Sequence, residues 1–90
     1  MTRHTITYSA RAVRQIEEGL PEKIAAAVIE FIEGPLADNP RRVGQRLRPP
    51  FERYHGARRG EYRVVYEILG DVIRVNIVDL AHRRDVYRRR

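Results

Sequence analysis

The chain has no cysteine, and Lys23 is its only lysine. Without cysteine there can be no disulfide and no thiolate metal site, and the three histidines, His4, His55 and His82, are not spaced as ligands, which argues against zinc. No apolar run reaches membrane-spanning length, and the N-terminus shows neither a signal-type apolar core nor a cleavage site, so no membrane association is expected and the expected location is the cytoplasm. Internal repeats and low-complexity linkers are lacking too. A chain of 90 residues with 42% hydrophobic content therefore reads as one domain, residues 1–90, with a thin core.

What is abundant is arginine. The net charge of +6 is unevenly spread: residues 1–38 hold four basic and six acidic side chains (−2), residues 39–90 fourteen basic and six acidic ones (+8). All the basic residues except Lys23 are arginine, whose planar fork suits phosphate recognition and stacking on bases. Genomic codon bias accounts for the Arg/Lys ratio equally well, but not for the clustering. A basic half-domain indicates a polyanion-binding surface or one neutralised by an acidic protein partner.

Local patterns give the elements. Thr5 to Tyr8 alternates weakly as a first strand; Ser9 is an N-cap, followed by Ala10, Val13, Ile16 and Leu20 at helical spacing, with Gly19 ending the helix. Pro21 opens a second helix whose apolar face is Ile24, Ala25, Val28, Ile29, Phe31 and Ile32, and Gly34-Pro35 bends or ends it. Ala37 to Pro50 reads as an exposed basic loop carrying Arg41, Arg42, Arg46 and Arg48, and a strand is expected around Tyr54 to Arg58. Tyr62, Val64, Tyr66 and Ile68 then share one strand face, with Arg63, Val65, Glu67 and Leu69 on the other. Gly70-Asp71 is a hairpin turn, and Ile73, Val75 and Ile77 form the apolar face of the return strand. The expected fold is α+β, a helical hairpin packed on a small, mainly antiparallel curved sheet in the order β-α-α-β-β-β. Arg63 interrupts an otherwise apolar strand and needs an anion: either a ligand phosphate or the carboxylate of Glu67, Asp79 or Asp85.

In this order and spacing, LPEKIAAAVIEFIEGPLADNPRRVGQRLR, ARRGEYRVVYEI and AHRRDVYRRR resemble the RelE/ParE superfamily of bacterial toxins from toxin–antitoxin pairs, in its RelE-like branch. The resemblance covers nearly the whole chain. It implies a ribosome-dependent mRNA endoribonuclease in which a ribose 2′-hydroxyl attacks the adjacent phosphate, with no metal or nucleotide cofactor. It also implies a small acidic RelB-like antitoxin, with operator DNA reached only through that antitoxin.

By its place in EYRVVY, Arg63 matches the family's strand arginine and would hold the scissile phosphate. Tyr87 in DVYRRR matches the C-terminal tyrosine, for stacking or for taking the 2′-hydroxyl proton, or else it anchors the tail. Arg83 matches the second arginine if a small gap is allowed, and His82 beside it has a pKa range suited to proton transfer, or a structural role. Arg46, Arg48, Arg58, Arg59, Arg84 and Arg88 are the candidate RNA contacts. One departure stands out. Cleaving members carry lysines on the strand before the strand arginine, where this chain has Tyr54 and Gly56, so proton transfer passes to Tyr87, His82 or the arginines, or cleavage is lost. The other functions implied are a ParE-like gyrase poison and a catalytically inactive RNA- or partner-binding module.

Overall fold

A computed structural model describes residues 3–80. Strand β1 (Thr5–Tyr8) leads into helix α1 (Ala10–Arg14), which runs on as a π turn over Gln15–Gly19. Helix α2 (Glu22–Phe31) likewise continues as a π turn over Ile32–Leu36, and a one-turn helix α3 (Pro40–Val43) follows. Strands β2 (Gln45–Arg46), β3 (His55–Arg59), β4 (Tyr62–Leu69) and β5 (Val72–Leu80) complete an open mixed sheet in the order β1-β5-β4-β3-β2. Only β1 runs parallel to its neighbour; the other pairings are antiparallel. The helical hairpin on a mainly antiparallel sheet is as expected, but the order gains α3 and β2. Both fall in the stretch read as a loop, and both are too short to leave a periodic signature. The arginines of that stretch, Arg41, Arg42, Arg46 and Arg48, are exposed.

Ser9 ties three parts together. Its Oγ accepts from the Ala12 N–H at 3.0 Å, capping α1, and donates to the Asn76 carbonyl at 3.0 Å, while its own N–H donates to the Val75 carbonyl at 2.9 Å. Gln15 then reaches back so that its Oε1 accepts from the Val78 N–H at 2.7 Å. Side chains of the first helix thus occupy the edge of β5 beyond the end of β1, where a bare ladder would face solvent. Ser9→Ala should lower stability by about 1 kcal/mol through the lost cap, read as a shift of the urea midpoint. An unshifted midpoint would show the cap to be replaceable by water.

The first helix buries Ala12, with Ile16 and Leu20 half-buried, whereas Val13 is exposed. The expected phase slips because the π turn inserts an extra residue per turn. Along α2 the buried positions are Val28, Phe31, Ile32 and Leu36, and Ile29 looks outward. Gly34-Pro35 does not end this helix, since Pro35, which has no N–H to give, sits inside the π turn and its carbonyl accepts from Asn39 N–H at 3.0 Å.

Both later hairpins turn on two residues with glycine first. Gly60 has φ 54° and Gly70 φ 66°, while no residue other than glycine takes a positive φ among the described residues. Between β4 and β5 the register slips once: Val65 opposes Ile77, but Tyr66 opposes Val75, leaving Asn76 as an extra residue. The bulge corrects the expected face of β5. Ile73 and Val75 are fully buried, but beyond Asn76 the alternation inverts, so Val78 joins the core and Ile77 turns to the opposite face. Tyr62, Val64 and Tyr66 of β4 complete the sheet's contribution, packed on Val28, Phe31, Ile32 and Leu36. Each such fully buried aliphatic side chain contributes about 1.5–3 kcal/mol relative to exposure.

Candidate nucleic-acid interface

The face of the sheet turned away from this core is built by strand alternation. β4 presents Arg63, Val65 and Glu67 there, β3 presents Gly56 and Arg58, and β5 presents Arg74, Ile77 and Asp79. Cross-strand pairing sorts these residues into three bands. Arg58, Arg63 and Asp79 stand side by side on adjacent strands; Gly56, Val65 and Ile77 form the next row; Glu67 and Arg74 form the third.

Arg63 is exposed, and its anion within the described residues is Asp79. Nε lies 3.3 Å from Oδ1 and Nη2 3.2 Å from Oδ2, a forked pair with half of the arginine side chain still in solvent. Of the other two candidate carboxylates, Glu67 is engaged elsewhere, 3.5 Å from Arg53 and 3.8 Å from Arg74, and Asp85 lies outside the described residues. The arginine is therefore neither buried nor unpaired, because its strand covers the core with one face only. Asp79 takes the Nε edge of the guanidinium, which leaves Nη1 and the second hydrogen of Nη2 for another anion.

The middle band is apolar and partly roofed. The β2–β3 loop is closed by Leu47 N–H donating to the Tyr54 carbonyl at 3.0 Å, with inner turns from Phe51 N–H to the Arg48 carbonyl and from Tyr54 N–H to the Phe51 carbonyl. The cis peptide Pro49–Pro50 lies within the first of these turns. Leu47, Phe51 and Tyr54 of this loop, with Val65, Asn76 and Ile77 of the sheet, line a cleft of about 480 Å³. Of Tyr54 and Gly56, which stand where a cleaving enzyme of the family carries lysines, Tyr54 lines this cleft and Gly56 is covered by Leu47.

The other candidate contacts separate. Arg59 lies on the helix side of the sheet, its guanidinium 4.6 Å from the ring centroid of Phe31, so it does not share a face with Arg58 and Arg63. Arg46 pairs across strands with His55 on that same side, and Arg48 is exposed on the loop. His82, Arg83, Arg84, Tyr87 and Arg88 lie outside the described residues.

Pattern reading missed two features. His55 stacks on Tyr66 with centroids 5.7 Å apart, beside Arg41 and Arg46, and its Nδ1 has no hydrogen-bond partner. Burial, and then the charges of Arg46 and Arg41, hold its pKa below the ordinary value of 6.5. Folded His55 binds fewer protons than the unfolded chain, so its contribution to stability is complete above about 6.5 and is lost as pH falls through the depressed folded value. His55→Gln should flatten that limb of the melting-temperature profile; an unchanged limb would assign the effect to other groups. Phe51, 56% exposed at the cleft, is the second missed feature, since a lone phenylalanine after two prolines carries no periodic signal.

Among the described residues no helix is long and apolar enough to cross a membrane, and no group of three or more His, Cys, Asp or Glu is arranged to hold a metal. Residues 6–87 match the family described as ParE toxin of type II toxin-antitoxin system, parDE. The chain is 49% identical over 83 residues to Toxin RelE of Mycobacterium tuberculosis, covering 92% of this chain and 84% of that one. It is 41% identical over 86 residues to Toxin RelG of the same organism, covering 96% and 98%. Its fold superposes with TM-score 0.84 on a chain of the crystal structure of the toxin–antitoxin complex RelBE2 from M. tuberculosis, at 36% identity over 88% of this chain and 99% of that one. With a helical hairpin on a mixed sheet, a cationic band on the opposite face, and these relatives, the chain belongs to the RelE/ParE superfamily as a RelE-like toxin of a type II toxin–antitoxin system.

Proposed function

We propose that this toxin is a ribosome-dependent mRNA endoribonuclease acting in the cytoplasm. The observation that carries the reading is the adjacent Arg58–Arg63 pair on the face away from the core, with half of the Arg63 side chain in solvent. The ribose 2′-oxygen attacks the neighbouring phosphorus, the bond to the 5′-oxygen breaks, and a 2′,3′-cyclic phosphate and a 5′-hydroxyl result. Arg63 carries the charge that builds on the non-bridging oxygens, and Arg58 holds a flanking phosphate. Tyr54 and Gly56 supply no ammonium group, so one of Tyr87 and His82 takes the 2′-hydroxyl proton and the other gives a proton to the leaving 5′-oxygen, while Arg83 supports the transition state. Arg46, Arg48, Arg84 and Arg88 hold ribosomal or messenger RNA by its backbone, as Arg59 does from the helix side. An acidic RelB-like antitoxin neutralises the basic surface, a reading supported by the toxin–antitoxin complex of the relative. Operator DNA is reached only through that antitoxin.

The test is primer extension on mRNA from ribosomes stalled with an empty decoding site. A cut within the codon that disappears in Arg63→Ala supports the proposal. The name of the matched family favours one second reading, a gyrase poison, and intact mRNA together with blocked DNA supercoiling would select it.

A further inference from the structure

The cleft beside Arg63 has a shape and position that the phosphate chemistry does not use. Its floor is Val65 and Ile77, the cross-strand pair directly adjoining the Arg63–Asp79 pair. Two residues along a strand is about 7 Å, within the reach of one nucleotide from its phosphate. Leu47, Phe51 and Tyr54 stand over that floor from a loop pinned at both ends by backbone hydrogen bonds, so the walls are held before any ligand arrives. The polar groups at the rim are few. Ser9 is spent on its cap and on the Asn76 carbonyl, whereas Asn76 holds Glu67 only at 3.5 Å, and Arg11 is exposed.

We propose that this cleft seats one nucleobase of the RNA whose phosphate Arg63 holds, with Phe51 as its exposed stacking face. The proposal rests on the RNA-cleaving reading above. A flat, apolar, sequence-tolerant ligand suits an aromatic wall, because every base offers a π-face while few offer the same polar edge. The neighbouring band supports this occupant over a peptide: Arg58 and Arg63 sit on one side of the cleft, so a ligand lying across both bands presents an anion and then a planar apolar group about one nucleotide apart. Asn76 and Arg11 are placed to address the base edge and bias which base is accepted.

The experiment uses the full chain and ribosomes carrying mRNA with 2-aminopurine at each decoding-site position in turn, a 2′-deoxy sugar at the scissile nucleotide preventing cleavage. Wild-type protein is expected to quench 2-aminopurine strongly at one position, Phe51→Ala to lose that quench, and Phe51→Tyr to keep it. An abasic nucleotide at that position should weaken binding of the wild type by about tenfold and that of Phe51→Ala no further. Phe51 is largely solvent-exposed, and melting curves check that its variants fold. Absence of quench at every position while ordinary mRNA is cut overturns the proposal and leaves the nuclease reading standing. Quench while ordinary mRNA, with its 2′-hydroxyl, stays intact leaves the base site standing and removes the nuclease reading. Loss of antitoxin binding in Phe51→Ala with quench unchanged also overturns the proposal, since the cleft would then belong to the antitoxin.

Discussion

Arg63→Ala is expected to lower the rate of mRNA cleavage on stalled ribosomes by about a hundredfold or more, as losing one preorganised charge stabiliser does elsewhere. The loss should fall on the rate at saturating ribosome, because the charge on the phosphate oxygens is greatest in the transition state. Folding should be nearly untouched. The Arg63–Asp79 pair is half-exposed at 3.2 Å, and pairs of this kind contribute about 0–1 kcal/mol. Arg63→Lys should recover only part of the rate, since an ammonium cannot hold Asp79 through one edge and an oxyanion through another. Cleavage by Arg63→Ala within about threefold of wild type, a loss far too small for such a stabiliser, would remove this arginine from the chemistry.

The second large effect lies in the support of the cleft. Gly44→Ala should destabilise the protein by about 2–5 kcal/mol, combining overpacking with a broken buried hydrogen bond. A Cβ at position 44 would overlap the Tyr66 hydroxyl and lie 2.9 Å from the Gly56 carbonyl. That hydroxyl is buried and donates to the Pro40 carbonyl at 2.6 Å, so it has nowhere to retreat without losing its partner. In a domain of this size the melting temperature should fall by about 10–30 °C. Gly34→Ala is the control, because a Cβ there meets nothing within 4 Å. Equal melting of Gly44→Ala and wild type would mean that α3 and β2 can shift as a unit. Because Gly44 leads straight into β2 and the loop beyond it, the variant should also lose the quench attributed to Phe51.

Local rules read much of this chain. The alternation of Tyr62 to Ile68, the glycine-led turn at Gly70-Asp71 and the cap at Ser9 all depend on neighbours within a few residues, and all stand as read. Ile77 does not. A bulge is an agreement between two strands about where one residue goes unpaired, and β5 alone carries no mark of it. Arg59 was grouped with Arg58 as a contact, yet adjacent residues on a strand face opposite ways, and Phe31, far away in sequence, gives Arg59 its seat. Glu67 and Asp79 are both near Arg63 in the sequence pattern, and among the described residues cross-strand register gives the arginine to Asp79.

By itself the sequence determined the fold class, the basic character of the second half and the arginine on the central strand, because period, turn chemistry and charge are written locally. The tertiary structure alone decided which arginines share a face, which carboxylate orients Arg63 and that Leu47, Phe51 and Tyr54 come to lie over Val65 and Ile77. Those are relations between segments many residues apart, set by register, by a single bulge and by a loop closed through its backbone, and none of them has a local signature.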